Sequence, residues 1–336
     1  MRRTRLAPSP TGALHLGNAR SFLVNWLLAR RLGWKVILRV EDLDSPRVKA
    51  GADLQAVDDL RWLGLDWDEG PIYQTPRMSV YAGAIRRLVD QGAAYPCVCS
   101  RREVAAAASA PHAEDGAAVY PGTCRGRFTS IEEARQAAGR VPALRFAVPH
   151  GDQGVVEFTD EFSGHHRFDV PRQLGDFVIA KVDGPHDATR QEGGPFTEWT
   201  PAYQLAVVVD DAEMGVTEVV RGDDLLDSTP RQVLLYRALG LAERVPRYYH
   251  LPLVTGPDGR RLAKRHGDTR LSHYRDHGVT AGRVLALLAR WCGMELRREP
   301  RTAADLLDGF TLGGVPRRPV VMSPDDDTWL TSGSRI

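Results

Sequence analysis

The chain has 336 residues, with 44 Lys+Arg against 43 Asp+Glu and a formal net charge of +1. Hydrophobic residues make up 43% and charged residues 26%, which excludes a disordered chain, because that much apolar surface can offset the entropy of ordering. The length predicts two or three domains, and no apolar run approaches the ~20 residues of a membrane-spanning helix. The basic start, Met1-Arg2-Arg3-Thr4-Arg5, has no apolar stretch behind it and does not read as a secretory signal. A cytoplasmic, monomeric enzyme with no membrane partner is the expectation.

Arg3 to Ala7 reads as a short extended run ended by Pro8-Ser9-Pro10-Thr11-Gly12. From Gly17 the apolar positions Phe22, Leu23, Trp26, Leu27 and Leu32 recur at helical spacing, with Gly33 as the stop. Lys35 to Val40 predicts a strand, and Ala52–Leu63 and Met78–Asp90 predict helices. Alternating strands and helices point to a parallel α/β sheet. Residues 97 to about 195 read as an inserted α+β segment, with an Ala-rich stretch at 105–110, a β-like piece at Val155–Phe158 and a Gly/His/Asp-rich end at 183–195. The apolar run Tyr203 to Asp211 reads as a buried parallel strand. Val216–Val220 and Tyr248–Leu253 read as further strands, and Thr229–Leu239 as a helix. After Asp268 the chain turns helical, most clearly over Val284–Trp291, and ends in a mobile Pro/Arg/Asp-rich tail. The expected division is 1–96 and 196–268 as two halves of one catalytic domain, 97–195 as the insert, and 269–336 as a short helical segment with its tail.

Three features carry chemistry. The loop Pro8 to Asn18 sits between the first strand and the first helix, at the carboxyl edge where open α/β sheets bind ligands. A helix N-terminus there offers N–H groups and partial positive charge to phosphate, and His15 and Asn18 add donors. The second feature is the glycine-bounded basic loop Gly256 to Gly267. It holds Lys264, one of only four lysines among the 44 basic residues, and a compact ammonium suits polyphosphate. The third is Cys97-x-Cys99 with Cys124, three thiolates that read as metal ligands, with His112 or Tyr120 as the fourth.

Pro8-Ser9-Pro10-Thr11-Gly12 followed by His15-Leu16-Gly17-Asn18 resembles the first signature of class I aminoacyl-tRNA synthetases in their glutamyl form. Arg261-Leu262-Ala263-Lys264-Arg265 resembles the second, with Arg261, Ala263 and Arg265 departing from the usual residues and Lys264 kept. The resemblance covers about residues 3–295. It implies a Rossmann-type catalytic domain with an inserted zinc-containing, acceptor-type subdomain. It also implies an ATP site at Pro8, Thr11, Gly12, His15, Gly17, Asn18 and Lys264, with His15 and Lys264 catalytic. Glutamate would be held by Arg5, Ala7, Ser9, Glu41, Tyr203 and Arg221. The arginines suit its carboxylate and Glu41 its ammonium. Tyr120-Pro121-Gly122-Thr123-Cys124 is similar to a subgroup's zinc segment, which implies Cys97, Cys99, Tyr120 and Cys124 as the ligands of one structural Zn2+. Only 72 residues follow Lys264, so no anticodon-binding domain is expected. Chain length, cysteine spacing and Tyr203-Gln204 resemble a truncated branch that activates glutamate with Mg2+·ATP and transfers it to queuosine at the wobble position of tRNA(Asp). The alternatives are a shortened enzyme charging the 3′ end of tRNA(Glu), and a non-catalytic paralogue that binds glutamate or tRNA.

Overall fold

The computed structural model describes residues 1–43, 48–100, 102–104, 119–182, 196, 198–260, 262 and 267–332. The 105–110 and 183–195 stretches named above lie outside them.

Strand β1 (Arg3–Leu6) runs parallel to β2 (Lys35–Val40), which runs parallel to β3 (Glu69–Tyr73). The third strand was not foreseen; it follows helix α2 (Ala52–Trp62). Helix α1 (Leu16–Leu32) makes the first crossover. His15 caps its N-terminus, and Gly33 ends it at φ 68°, a left-handed value that favours glycine. Five of the six β2 residues are buried, as befits a strand covered on both faces. Helix α3 (Met78–Asp90) follows, burying Tyr81, Ile85 and Leu88 on one face.

A four-stranded antiparallel sheet of order β4 (Ala94–Cys97), β5 (Ala143–Phe146), β8 (Phe177–Lys181) and β9 (Thr200–Pro201) comes next. Between its strands lie helix α4 (Ile131–Ala138), the hairpin β6 (Val155–Asp160) and β7 (Gly164–Asp169), and the single turn α5 (Val170–Gln173).

The run expected to be a strand at Tyr203–Asp211 is helix α6 (Tyr203–Glu213). Its β-branched valines pointed to a strand. Its eleven residues exceed the usual length of one, and Leu205 to Ala212 are buried all round, so tertiary packing overrides local preference. Strand β10 (Glu218–Gly222), helix α7 (Ser228–Ala238) and β11 (Arg247–Leu251) follow, with β10 and β11 parallel. Thr217 N–H donates to the Arg3 carbonyl (2.9 Å), which sets this pair beside β1.

Strand β12 (Val254–Thr255) leads into the basic loop, and helices α8 (Leu271–Asp276) and α9 (Ala281–Trp291) lie beyond it. The tail expected to be mobile is ordered through Ser332. Strand β13 (Val320–Val321) pairs with β12, and helix α10 (Pro324–Ser332) packs on α9. Trp329 is the reason: its ring lies under Arg283 (4.2 Å) and Arg290 (4.7 Å), and Leu330 is buried beside it.

One core joins Leu6, Leu23, Leu27, Leu38, Leu285 and Leu288 between β1, β2, α1 and α9. A second joins Ile85, Phe146, Ile179, Val208 and Leu235 between the antiparallel sheet and α3, α6 and α7. Among the described residues no helix is long and apolar enough to cross a membrane.

Candidate active site

Parallel pairing puts the ends of β1, β2, β10 and β11 on one edge, where ligands bind in open α/β sheets. The Pro8 carbonyl accepts from Glu41 N–H (3.0 Å), so the first-signature loop lies against the end of β2. His15 sits where that loop becomes α1. Its Nδ1 accepts from the N–H groups of Gly17 (3.1 Å) and Asn18 (3.4 Å). Capping takes the Nδ1 lone pair, so the neutral ring carries its proton on Nε2. A Cβ on Gly17 would lie 3.0 Å from the ring and crowd the capping imidazole. A Cβ on Gly12 would meet nothing within 4 Å.

The chain that follows the basic loop, far from the first signature in sequence, lies against it in space. Leu16 N–H donates to the Thr269 carbonyl (3.0 Å) and Leu271 N–H to the Leu14 carbonyl (2.9 Å). The chain leaving the basic loop is thereby stitched to the start of α1. Lys264, Arg261 and Ala263 lie outside the described residues.

Arg5, Glu41, Tyr203 and Arg221 converge at the strand ends. Arg5 is buried, donates to the Val220 carbonyl (3.4 Å) and approaches Asp211 (3.6 Å). Burial pushes the Glu41 carboxyl above its ordinary range, against the pull of Arg39 and Arg5. Tyr203 opens the first turn of α6 and keeps 38% of its surface exposed. Desolvation raises its phenol, and Arg221, Glu41, Arg5 and Asp211 all act on it electrostatically. Ala7 and Ser9 lie in the loop directly after β1, Ala7 half-buried and Ser9 exposed. Arg5 and Glu41 do not pair with each other: the partner of Glu41 is Arg39 (3.0 Å).

Sequence reasoning missed the layer beneath. Arg39 is fully buried in β2 and also bonds Asp211 (2.6 Å), with Asp210 at 3.9 Å. Asp210 in turn accepts from Gln74 (2.7 Å), Arg77 (2.8 Å) and Tyr81 (2.9 Å). Two adjacent acids closing a run of three valines were the available signal. Arg221 is engaged at three nitrogens: Nε on His250 (3.0 Å), one terminal nitrogen on Gln232 (3.0 Å), the other on Thr229 (2.7 Å).

At a distance in sequence, Cys97, Cys99 and Cys124 place their sulfurs within 4.8 Å of one another. The Tyr120 hydroxyl lies 3.4 Å from the Cys97 sulfur and 3.6 Å from that of Cys99. A tetrahedral metal with bonds of ~2.3 Å to sulfur separates its sulfurs by about 3.8 Å, and Cys99 and Cys124 are 3.5 Å apart. The donor set fits a metal. His112 lies outside the described residues.

The family model described as tRNA synthetases class I (E and Q), catalytic domain, matches residues 1–304. A curated protein named glutamyl-Q tRNA(Asp) synthetase, from Symbiobacterium thermophilum, is 47% identical, with 98% of each chain covered. A glutamate–tRNA ligase from Geobacter sulfurreducens is 41% identical over 98% of this chain but only 65% of its own. The crystal structure of a glutamate tRNA ligase from Elizabethkingia meningosepticum in complex with its amino acid superposes with a TM-score of 0.75 at 26% identity, covering 98% of this chain and 68% of that one. With its first signature at the carboxyl edge of a parallel sheet, the chain belongs to the class I tRNA synthetases of the glutamyl and glutaminyl type and is an aminoacyl-tRNA ligase-type enzyme.

Proposed function

We infer that the chain activates glutamate with Mg2+·ATP and transfers the glutamyl group to queuosine at the wobble position of tRNA(Asp). The observation that carries the glutamate reading is the convergence of Arg5, Glu41, Tyr203 and Arg221 on one edge: two cations and one carboxylate complement an acidic amino acid. The queuosine reading is supported by near-complete mutual coverage with the Symbiobacterium protein.

In the first step a carboxylate oxygen of glutamate attacks the α-phosphorus, and pyrophosphate leaves. The nucleophile is already an anion, so positioning and charge stabilisation carry the step. Arg221 and Arg5 hold the side-chain carboxylate, Glu41 the ammonium, and Tyr203 walls the pocket, while Ala7 and Ser9 line its loop. Pro8, Thr11, Gly12, Gly17 and Asn18 cradle the nucleotide. His15, its proton directed to Nε2 by capping, donates to phosphate oxygens, and Lys264 supplies a cation from the basic loop. In the second step a hydroxyl of the queuosine cyclopentenediol attacks the acyl carbon and AMP departs.

Zn2+ would be held by Cys97, Cys99, Tyr120 and Cys124, cross-linking the end of β4 to the 120–124 turn. Its role is structural. Arg145, 3.7 Å above the Tyr120 ring and 3.2 Å from the Cys97 sulfur, offsets the negative charge of that ligand set.

The test supplies labelled glutamate, ATP and tRNA(Asp) with and without queuosine, each lacking its 3′-terminal adenosine. Label on the truncated, queuosine-bearing tRNA alone supports the reading. Label only on intact tRNA(Glu) makes the chain a 3′-end charging enzyme, a reading favoured by its likeness to the Geobacter ligase. No glutamate-dependent pyrophosphate exchange overturns both.

A further inference from the structure

Arginine has only N–H donors, so the His250 Nε2 that it meets at 3.0 Å must present a lone pair. The imidazole proton therefore sits on Nδ1, 2.7 Å from an Asp160 carboxylate oxygen. Asp160 is itself locked. It also accepts from the backbone of His250 (3.1 Å), Phe162 (3.0 Å) and Ser163 (2.7 Å) and from the Ser163 hydroxyl (2.9 Å). Asp160, His250, Thr229 and Gln232 are each at most 2% exposed. Arg221 and His250 are cross-strand partners in β10 and β11, and Asp160 ends β6 of the hairpin. A second line runs from Gln232 to Gln204 (3.0 Å) and on to Ser228 (2.9 Å), tying the clamp to the first turn of α6 beside Tyr203. Three of the five N–H groups of Arg221 are spent on these contacts, which leaves one on each terminal nitrogen, the number a carboxylate's two oxygens take.

We propose that Asp160 and His250 are positioning residues for the amino-acid pocket: Asp160 sets the tautomer of His250, and His250 aims Arg221 at the substrate carboxylate. The inference rests on Arg221 being the glutamate clamp. It makes the β6–β7 hairpin, which lies in the segment between the two halves of the parallel sheet, part of amino-acid recognition. A preorganised guanidinium loses less rotamer entropy when it binds than one free to swing.

Two substitutions separate aiming from gluing. His250→Asn keeps a donor at the Nδ1 position for Asp160 but removes the acceptor for Arg221. His250→Gln keeps an acceptor at the Nε2 position. In glutamate-dependent ATP–pyrophosphate exchange, His250→Asn raises the KM for glutamate roughly ten- to a hundredfold, the worth of a hydrogen bond to a charged group. The KM for ATP stays within about twofold. His250→Gln restores most of the glutamate KM. A purely structural link between hairpin and strand predicts the reverse order, with Asn the better substitute, and that order overturns the proposal. So does a glutamate KM unchanged in both. If His250→Asn does not fold, Asp160→Asn serves: a several-fold rise in glutamate KM supports the proposal, and a folded variant with unchanged KM overturns it. Arg221→Gln run alongside tells the two failures apart. If it leaves the glutamate KM unchanged, the clamp reading itself falls. If it raises KM while the His250 and Asp160 variants do not, only the positioning role falls.

Discussion

At the scale of single residues, the pocket stands on buried charge. Arg39 has no exposed surface and neutralises Asp211 and Glu41 directly, with Asp210 nearby. Removing one partner of such a cluster strands the others in low dielectric. Arg39→Met is expected to cost about 3–5 kcal/mol in denaturant unfolding. The Asp160–His250 pair predicts a second behaviour. Burial alone would raise the Asp160 carboxyl, but the bonds from His250 and from backbone N–H groups outweigh it and hold it at about 2. The unfolded carboxyl titrates near ~3.9, so this contribution is complete above that pH and is lost as pH falls toward about 2. Burial lowers the His250 imidazole from its ordinary value, with Asp160 opposing. The unfolded imidazole gains its proton near pH ~6.5 while the folded one stays neutral, so acidification below neutrality also favours unfolding. Both signs agree: the thermal midpoint falls as pH drops from 7 to 4 and further below 4. Calorimetry on Asp160→Asn is expected to show a shallower fall in the lower range. Arg5, Glu41 and Arg221 were singled out through the family resemblance, their charges being the types an acidic amino acid would need. Arg39, His250 and Asp160 were not, because a buried ion pair has no local pattern.

At the scale of elements, the proposed function asks α1 to do two jobs through one side chain. His15 caps the helix through Nδ1, and the proposal has its Nε2 proton serve phosphate. His15→Ala should lose about 1 kcal/mol of stability with the cap. His15→Asn, a good capping residue, should keep it. Both should lower pyrophosphate exchange by on the order of a hundredfold, because neither offers the Nε2 donor. That dissociation of stability from activity is the readout. The thiol cluster likewise ties β4 to the 120–124 turn. Metal analysis of purified protein should find one zinc per chain, and Cys99→Ser or Cys124→Ser should lose it and lower the unfolding midpoint. The spacing Cys-x-Cys made this thiol cluster visible in advance. Helix α6 shows the limit of such reading. Composition favoured a strand, whereas Asp210 and Asp211, adjacent and both buried, each find a partner from the helical backbone.

At the scale of the whole molecule, the basic loop is held at both ends. Its leading strand pairs with β13: Val320 N–H donates to the Leu253 carbonyl (3.0 Å) and Met322 N–H to that of Thr255 (2.9 Å). Its trailing end is bonded to Leu14 and Leu16. Ending the chain at Arg318 removes β13 and α10, uncovering the buried Met322 and Leu330 contacts. The shortened protein should lose ~3 kcal/mol or more of stability. Its pyrophosphate exchange should fall as the loop loses its brace, while its metal content stays that of the full chain. A truncated chain with unchanged exchange would show that the tail has no part in holding the loop.

The residues by themselves determined the strand–helix rhythm through α2, the two signatures and the thiol cluster. Each is local: apolar periodicity, a capping residue, or a spacing of a few positions. Only the tertiary structure decided that the run after Tyr203 is a helix, that the tail folds back onto β12, and that Arg39, Asp160 and His250 stand behind the pocket. Those outcomes depend on what packs against each segment and on where a buried charge finds its counter-charge. Partners such as Asp160 and His250, 90 residues apart, leave no periodic trace in the chain.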